Sequence, residues 1–169
     1  MAVKVVTDST SDLPPEVAKE LDITVVPLNV RFGQESFLDG VDLFADAFFQ
    51  RLAASKALPA TSQPSPGAFL EVYRRLLEAG HQIVSVHISE KLSGTLNSAR
   101  QAKEQLGNVP IEIMDSLQAT LGLGLVATDA AKAAKAGASL KDTVAVAQKA
   151  IEEVQVFGVP DPRYGEELC

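Results

Sequence analysis

Residues 83–100, IVSVHISEKLSGTLNSAR, carry the chain from an apolar run into a polar loop and out into a helix. Ile83–Ile88 has the length and composition of a buried strand. Ser93-Gly94-Thr95 then opens a helix predicted to run from Gly94 to Leu106. The first turn of a helix has unpaired N–H donors and the positive end of the helix dipole. A strand that feeds such a turn places hydroxyls, a glycine and free N–H groups at one point, which suits an anion. Ser93 also reads as a plain N-cap. Gly94 adds to the anion reading, because glycine lets a ligand approach the backbone.

Working outward, strands and helices alternate. Val3–Thr7 is a β-branched run followed by DSTSDLPP, in which Ser11 or Asp12 can cap a helix and the prolines suit its first turn. Ile23–Val26 and Leu28–Phe32 read as extended segments, with a turn at Gly33-Gln34. Asp42 is expected to cap a helix, LFADAFFQRLAAS, that turns Phe48, Phe49 and Leu52 inward. Residues 56–66 read as a proline-rich loop, followed by a helix over Gly67–Ala79 that Gly80 ends. Ile111–Met114 reads as a strand, Asp115–Ala136 as a long buried helix, and Leu140–Val154 as a helix capped by Ser139. Val156–Val159 is a candidate last strand. Short connections between alternating elements predict an α/β domain, three layers around a mainly parallel sheet. Such sheets bind ligands beyond the C-terminal ends of their strands. The polar segments 8–12, 89–95 and 115–118 fall near those ends.

Composition excludes several classes. The net charge of −7, with no basic run, argues against nucleic acid or an anionic membrane as partner. One cysteine, Cys169, leaves no intrachain disulfide. No apolar run reaches the ~18 residues of a membrane span, and the start MAVKVVTD has no signal-peptide pattern. A cytoplasmic location is expected. His81 and His87 lack partner carboxylates at ligand spacing, so no metal site is expected. Thr61-Ser62 reads either as part of a capped loop or as a hydroxyl pair facing Ser93 across a cleft. Ser9 and Ser11 read as structural, Asp8 stays open, and Asp115-Ser116 reads as a helix cap. Gly122-Leu123-Gly124 reads as close helix packing. A hydrolase or transferase with Ser93 as nucleophile and His87 as base is a second reading. The chain has no G-x-S-x-G elbow, and no His–Asp pairing is legible in it.

Four motifs in order, VVTDSTSDL (5–13), TSQPS (61–65), LSGT (92–95) and Asp115-Ser116 leading to GLG (122–124), resemble the DegV family of bacterial fatty-acid-binding proteins. The resemblance covers residues 3 to about 155, taken as one domain, 1–155. It implies an N-terminal DegV-like domain that binds one long-chain fatty acid in a tunnel, without a cofactor and without catalysis of its own. It assigns the carboxylate to Thr61 and Ser93, with Ser62, Gly94 and Thr95 around it. It names as partner a fatty acid kinase, which would phosphorylate the bound carboxylate to an acyl phosphate. Phe37, Phe44, Phe48 and Leu92 are candidate lining residues, although most phenylalanines are expected in the core. Family members continue into a second domain, expected to be truncated here. Residues 156–169 read as a truncated or aberrant tail, in which Val159-Pro160-Asp161 matches the start of that continuation. With Val154 before it, the tail is similar to a segment of acyl-CoA synthetases. A third reading is therefore a non-functional fragment with one tunnel wall missing.

Overall fold

The computed structural model describes residues 1–55 and 57–157. In chain order the elements are β1 (Val3–Asp8), a single 3-10 turn (Ser9–Ser11), α1 (Pro15–Glu20), β2 (Ile23–Val26), β3 (Asn29–Phe32), β4 (Glu35–Leu38) and α2 (Ala45–Ala54). There follow β5 (Ala60–Ser62), α3 (Pro66–Glu78), β6 (Gln82–His87), α4 (Thr95–Leu106), β7 (Ile111–Asp115), α5 (Thr120–Lys135) and α6 (Leu140–Glu153). Four strands form a parallel sheet in the order β2-β1-β6-β7. The expected α/β architecture is therefore present. β3, β4 and β5 form a separate antiparallel sheet in the order β4-β3-β5. Thr61 stands on β5 opposite Val30, so the loop expected over 56–66 contains a strand.

Side chains alternate across a strand, and the sheet is covered on both faces. Val3, Val5, Val84 and Val86 meet Leu123, Val126, Ala127 and Ala130 of α5 and Ala147 and Ile151 of α6. Val6, Ile83 and Ile111 point the other way, onto Phe69 and Tyr73 of α3 and Ala99 and Ala102 of α4. Burying each large apolar side chain contributes about 1.5–3 kcal/mol. The small residues of α5 let it lie close. A Cβ added to Gly124 would come within 2.5 Å of the Ser11 carbonyl oxygen, so helix and turn touch backbone to backbone.

Several local expectations change. Helix α5 starts at Thr120, not Asp115; Asp115 ends β7 and accepts from the N–H groups of Leu117 and Glu90 instead of capping a helix. Neither Ser11 nor Asp12 caps α1. Its N-cap is Pro14, and the 3-10 turn takes up Ser11, whose hydroxyl is buried with no partner among the described residues. Asp42 accepts from the Leu38 N–H in the turn after β4 and leaves α2 uncapped. Helix α2 buries no residue fully, and Phe49 is 63% exposed. It packs against the small sheet through the edge-on contact of Phe48 with Phe32 and the Arg51 guanidinium over Phe37. Val156 and Phe157 lie outside any strand, and the remainder of the expected last strand and tail lies outside the described residues.

The Gly124 contact yields a prediction. Gly124→Ala should lower stability by about 1–3 kcal/mol through overpacking. Gly67→Ala, where the nearest atom is an ordinary 3.6 Å away, should be neutral or slightly stabilising. Urea unfolding of the two variants checks the difference.

Candidate functional site

In the parallel sheet the chain leaves β1 toward β2 on one side and later returns to β6 on the other. Crevices of open α/β sheets form at such reversals, beyond the C-terminal strand ends. Here β1 ends at Asp8 and β6 at His87, and these two side chains join the strand ends. The Asp8 Oδ2 accepts from His87 Nδ1 at 2.9 Å and from the Ile88 N–H at 3.1 Å. Its Oδ1 accepts from the Thr10 N–H at 3.1 Å and from the Thr10 hydroxyl. On the far side of the imidazole, Nε2 is 2.7 Å from Ser85 Oγ, which is 2.7 Å from the Tyr73 hydroxyl. Asp8, Ser85, His87 and Tyr73 are all fully buried.

This chain of contacts is a His–Asp pairing that the sequence does not reveal, because its members stand 79 residues apart. It also resembles a Ser-His-Asp triad, but its serine is Ser85, sealed in the core. Both ring nitrogens of His87 are engaged by Asp8 and Ser85, and the Ser93 Oγ is instead 2.9 Å from Thr95 Oγ1. A nucleophile needs a base within hydrogen-bond reach, and His87 does not stand in that relation to Ser93. Burial pushes the Asp8 carboxyl up. The hydrogen bond and charge of His87, with the Thr10 hydroxyl and the Ile88 N–H, outweigh it and hold Asp8 below its ordinary value. Burial raises the Tyr73 phenol well above its ordinary range, against a smaller opposing effect of the Ser85 hydrogen bond.

Above this buried frame lies an open cleft of about 500 Å³. Thr61, Ser62, Ser93 and Gly94 line it together, with Leu28, Val30, Ile88 and Leu92 as apolar surface. Thr95 is fully buried and does not line the cleft; its N–H and hydroxyl contact the Ser93 hydroxyl from behind. The Gln63 side chain lies against Gly94, so a Cβ there would meet Gln63 Nε2 at 2.6 Å. Loops 61–63 and 92–94 thus touch at Gly94, where a Cβ would displace the end of the Gln63 side chain. Helix α4 opens at Gly94, which offers no side-chain cap; its first N–H, that of Thr95, donates to the Ser93 hydroxyl at 3.3 Å instead. The cleft also contains Thr10, Asp12, Asp39, Gln63, Ala119 and Thr120. Gln63 belongs to the TSQPS motif, whereas nothing in the sequence signals Asp39 or Thr120, which only the packing of separate loops brings here. Of the candidate lining residues Leu92 is in the cleft, whereas Phe37, Phe44 and Phe48 are not.

The buried pair makes stability depend on pH. The folded-state value of Asp8 is depressed, so its contribution is full above the unfolded value near 3.9 and is lost as pH falls through the folded one. Asp8→Asn should cost about 3 kcal/mol at neutral pH. The gap to wild type should close as the pH drops below about 4; urea midpoints across that range measure it.

A family model described as uncharacterised proteins of the DegV family matches residues 2–162. A DegV domain-containing protein of Deinococcus radiodurans is 44% identical over 144 residues, 85% of this chain and 51% of that protein. Among solved structures, a fatty-acid-binding DegV family protein from Thermus thermophilus is similar with a TM-score of 0.82 and 36% identity, over 90% of this chain and 54% of that one. A stearic-acid-binding protein from Eubacterium ventriosum is similar with a TM-score of 0.79 and 33% identity, over 86% and 52%. The chain spans about half the length of the relatives it matches. The match runs through the whole sheet and every loop that lines the cleft, and on that ground the chain belongs to the DegV family.

Proposed function

We propose that this domain, residues 1–155, binds a long-chain fatty acid, with the carboxylate held by Thr61 and Ser93 and the chain laid along Leu28, Val30, Ile88 and Leu92. One observation carries the reading: hydroxyls from β5 and from the turn before α4 line the same cleft as these apolar side chains. Hydroxyls and helix N–H groups can neutralise a carboxylate without a buried Lys or Arg. Each charge-assisted hydrogen bond contributes about 1.5–3 kcal/mol. A buried acyl chain contributes ~0.8 kcal/mol per methylene, so a tail of about sixteen carbons exceeds the head group in gross burial. The tail then sets affinity, and Thr61 and Ser93 set direction. Ser62 and Gly94 border the head group, and Thr95 steadies Ser93 through its hydroxyl. The structures named above, described as binding a fatty acid or stearic acid, support the same ligand class. Leu92 is 66% exposed, a surface that a bound tail would cover.

In this reading the domain is a carrier in the bacterial cytoplasm that needs no cofactor. Chemistry on the carboxylate belongs to a partner, a fatty acid kinase that forms the acyl phosphate. Among the described residues no helix is long and apolar enough to cross a membrane.

Native mass spectrometry of protein purified from bacteria should show an added mass of one fatty acid. Thr61→Ala combined with Ser93→Ala should lose it; wild type that carries no lipid and takes up none would overturn the reading. A fluorophosphonate probe should leave Ser93 unlabelled, and labelling at Ser93 would favour an enzyme.

A further inference from the structure

We infer that Thr10, Asp12 and Asp39 form an acceptor-only wall of the cleft, which excludes a carboxylate and directs an anionic head group to the Thr61–Ser93 side. The inference rests on the fatty acid reading of the same cleft and adds what fixes the ligand's direction there.

Each donor on this wall is already spent inside the protein. The single hydroxyl proton of Thr10 goes to Asp8 Oδ1, since an ionised carboxylate can only accept. The Thr10 N–H goes to the same oxygen. The Asp12 N–H donates to the Ser9 carbonyl at 3.3 Å and the Asp39 N–H to the Leu28 carbonyl at 2.9 Å. What these three residues offer the cleft is the lone pairs of Thr10 and two carboxylates. Leu28 ties the two acids' loops together, its N–H donating to Ser9 Oγ at 3.0 Å and its carbonyl accepting from the Asp39 N–H; burial and the neighbouring charge of Asp39 push the Asp12 carboxyl up.

The lining residues grouped around the Gln63–Gly94 contact differ in kind. Thr61, Ser62 and Ser93 carry hydroxyl protons, and Gln63 carries an amide. A carboxylate at the wall would meet lone pairs and like charge, whereas beside Thr61, Ser62 and Ser93 it meets hydroxyl donors, the Ser93 proton being free when Thr95 donates in the pair the two hydroxyls form. Specificity of this kind comes as much from the repulsive element as from the attractive one. The polarity originates in the core: the carboxylate that pairs with His87 is the one that takes the Thr10 protons. A fatty alcohol, which can donate its hydroxyl proton and bears no charge, escapes the penalty.

The test compares palmitate with hexadecanol on delipidated protein, for wild type and for Asp12→Asn and Asp39→Asn, singly and together. Asparagine tolerates the left-handed backbone of Asp12, φ 49°. The palmitate-to-hexadecanol affinity ratio should rise about threefold to tenfold in the double variant at low salt. The gain should shrink in molar salt, and Asp39→Glu should keep the wild-type ratio. The single variants should show smaller rises, and they carry the test if the double variant does not fold. A ratio unchanged by neutralisation overturns the wall while leaving fatty acid binding intact. Wild type that binds neither ligand overturns the fatty acid reading itself, and the wall with it.

Discussion

The Asp8 carboxylate organises this molecule. It sits fully buried at the reversal point of the sheet and accepts four hydrogen bonds, from Thr10 twice, His87 and the Ile88 N–H. An unpaired charge in that position would cost several kcal/mol, and this pairing makes it tolerable. The bonds hold the ends of β1 and β6 at one spacing, and both strands lead directly into the cleft. Thr10 and Ile88, two of the lining residues, are positioned by the same carboxylate. The Tyr73–Ser85–His87 chain backs it from α3, so the face of the sheet opposite α5 is tied to the site by hydrogen bonds as well as by packing.

The cleft follows from this frame and from two departures from a plain doubly wound domain. The antiparallel β3–β5 sheet brings Thr61, Ser62 and Gln63 over the strand ends. The bare backbone of Gly94 lets Gln63 close onto the start of α4. Two loops about thirty residues apart in sequence become one surface there. The close approach of α5 through Gly124 fixes the turn that carries Asp12, so the acidic wall and the hydroxyl side have a set relation. The result is one cleft lined by hydroxyls, two carboxylates and apolar side chains.

Much of this was legible in the sequence and some was not, for reasons that can be named. The strands of the parallel sheet read correctly because their apolar runs are buried on both faces. Helices α3 and α6 read correctly because caps and periodicity agree, and α4 because its periodicity suffices without a side-chain cap. The start of α5 was misplaced because Asp115 is a good helix cap in isolation, and only the neighbouring loop shows it bonded to Glu90 and Leu117. The inward face expected of α2 failed because its apolar residues have only a small three-stranded sheet to cover. β5 was hidden by its three residues and the prolines after it, and it exists through pairing with β3.

The order of buried runs, turn residues and motifs determined by itself the α/β class, the family resemblance and the hydroxyl loops at 61–62 and 93–95. These are local properties, written in spacing and side-chain chemistry. The tertiary structure alone decided that Asp8 and His87 pair, that Thr95 turns behind Ser93, and that Asp12 and Asp39 share the cleft with Thr61. Each of these depends on which loops the sheet order brings together across long stretches of chain. Only contact in the folded state settles where a hydroxyl spends its proton or which charge faces another.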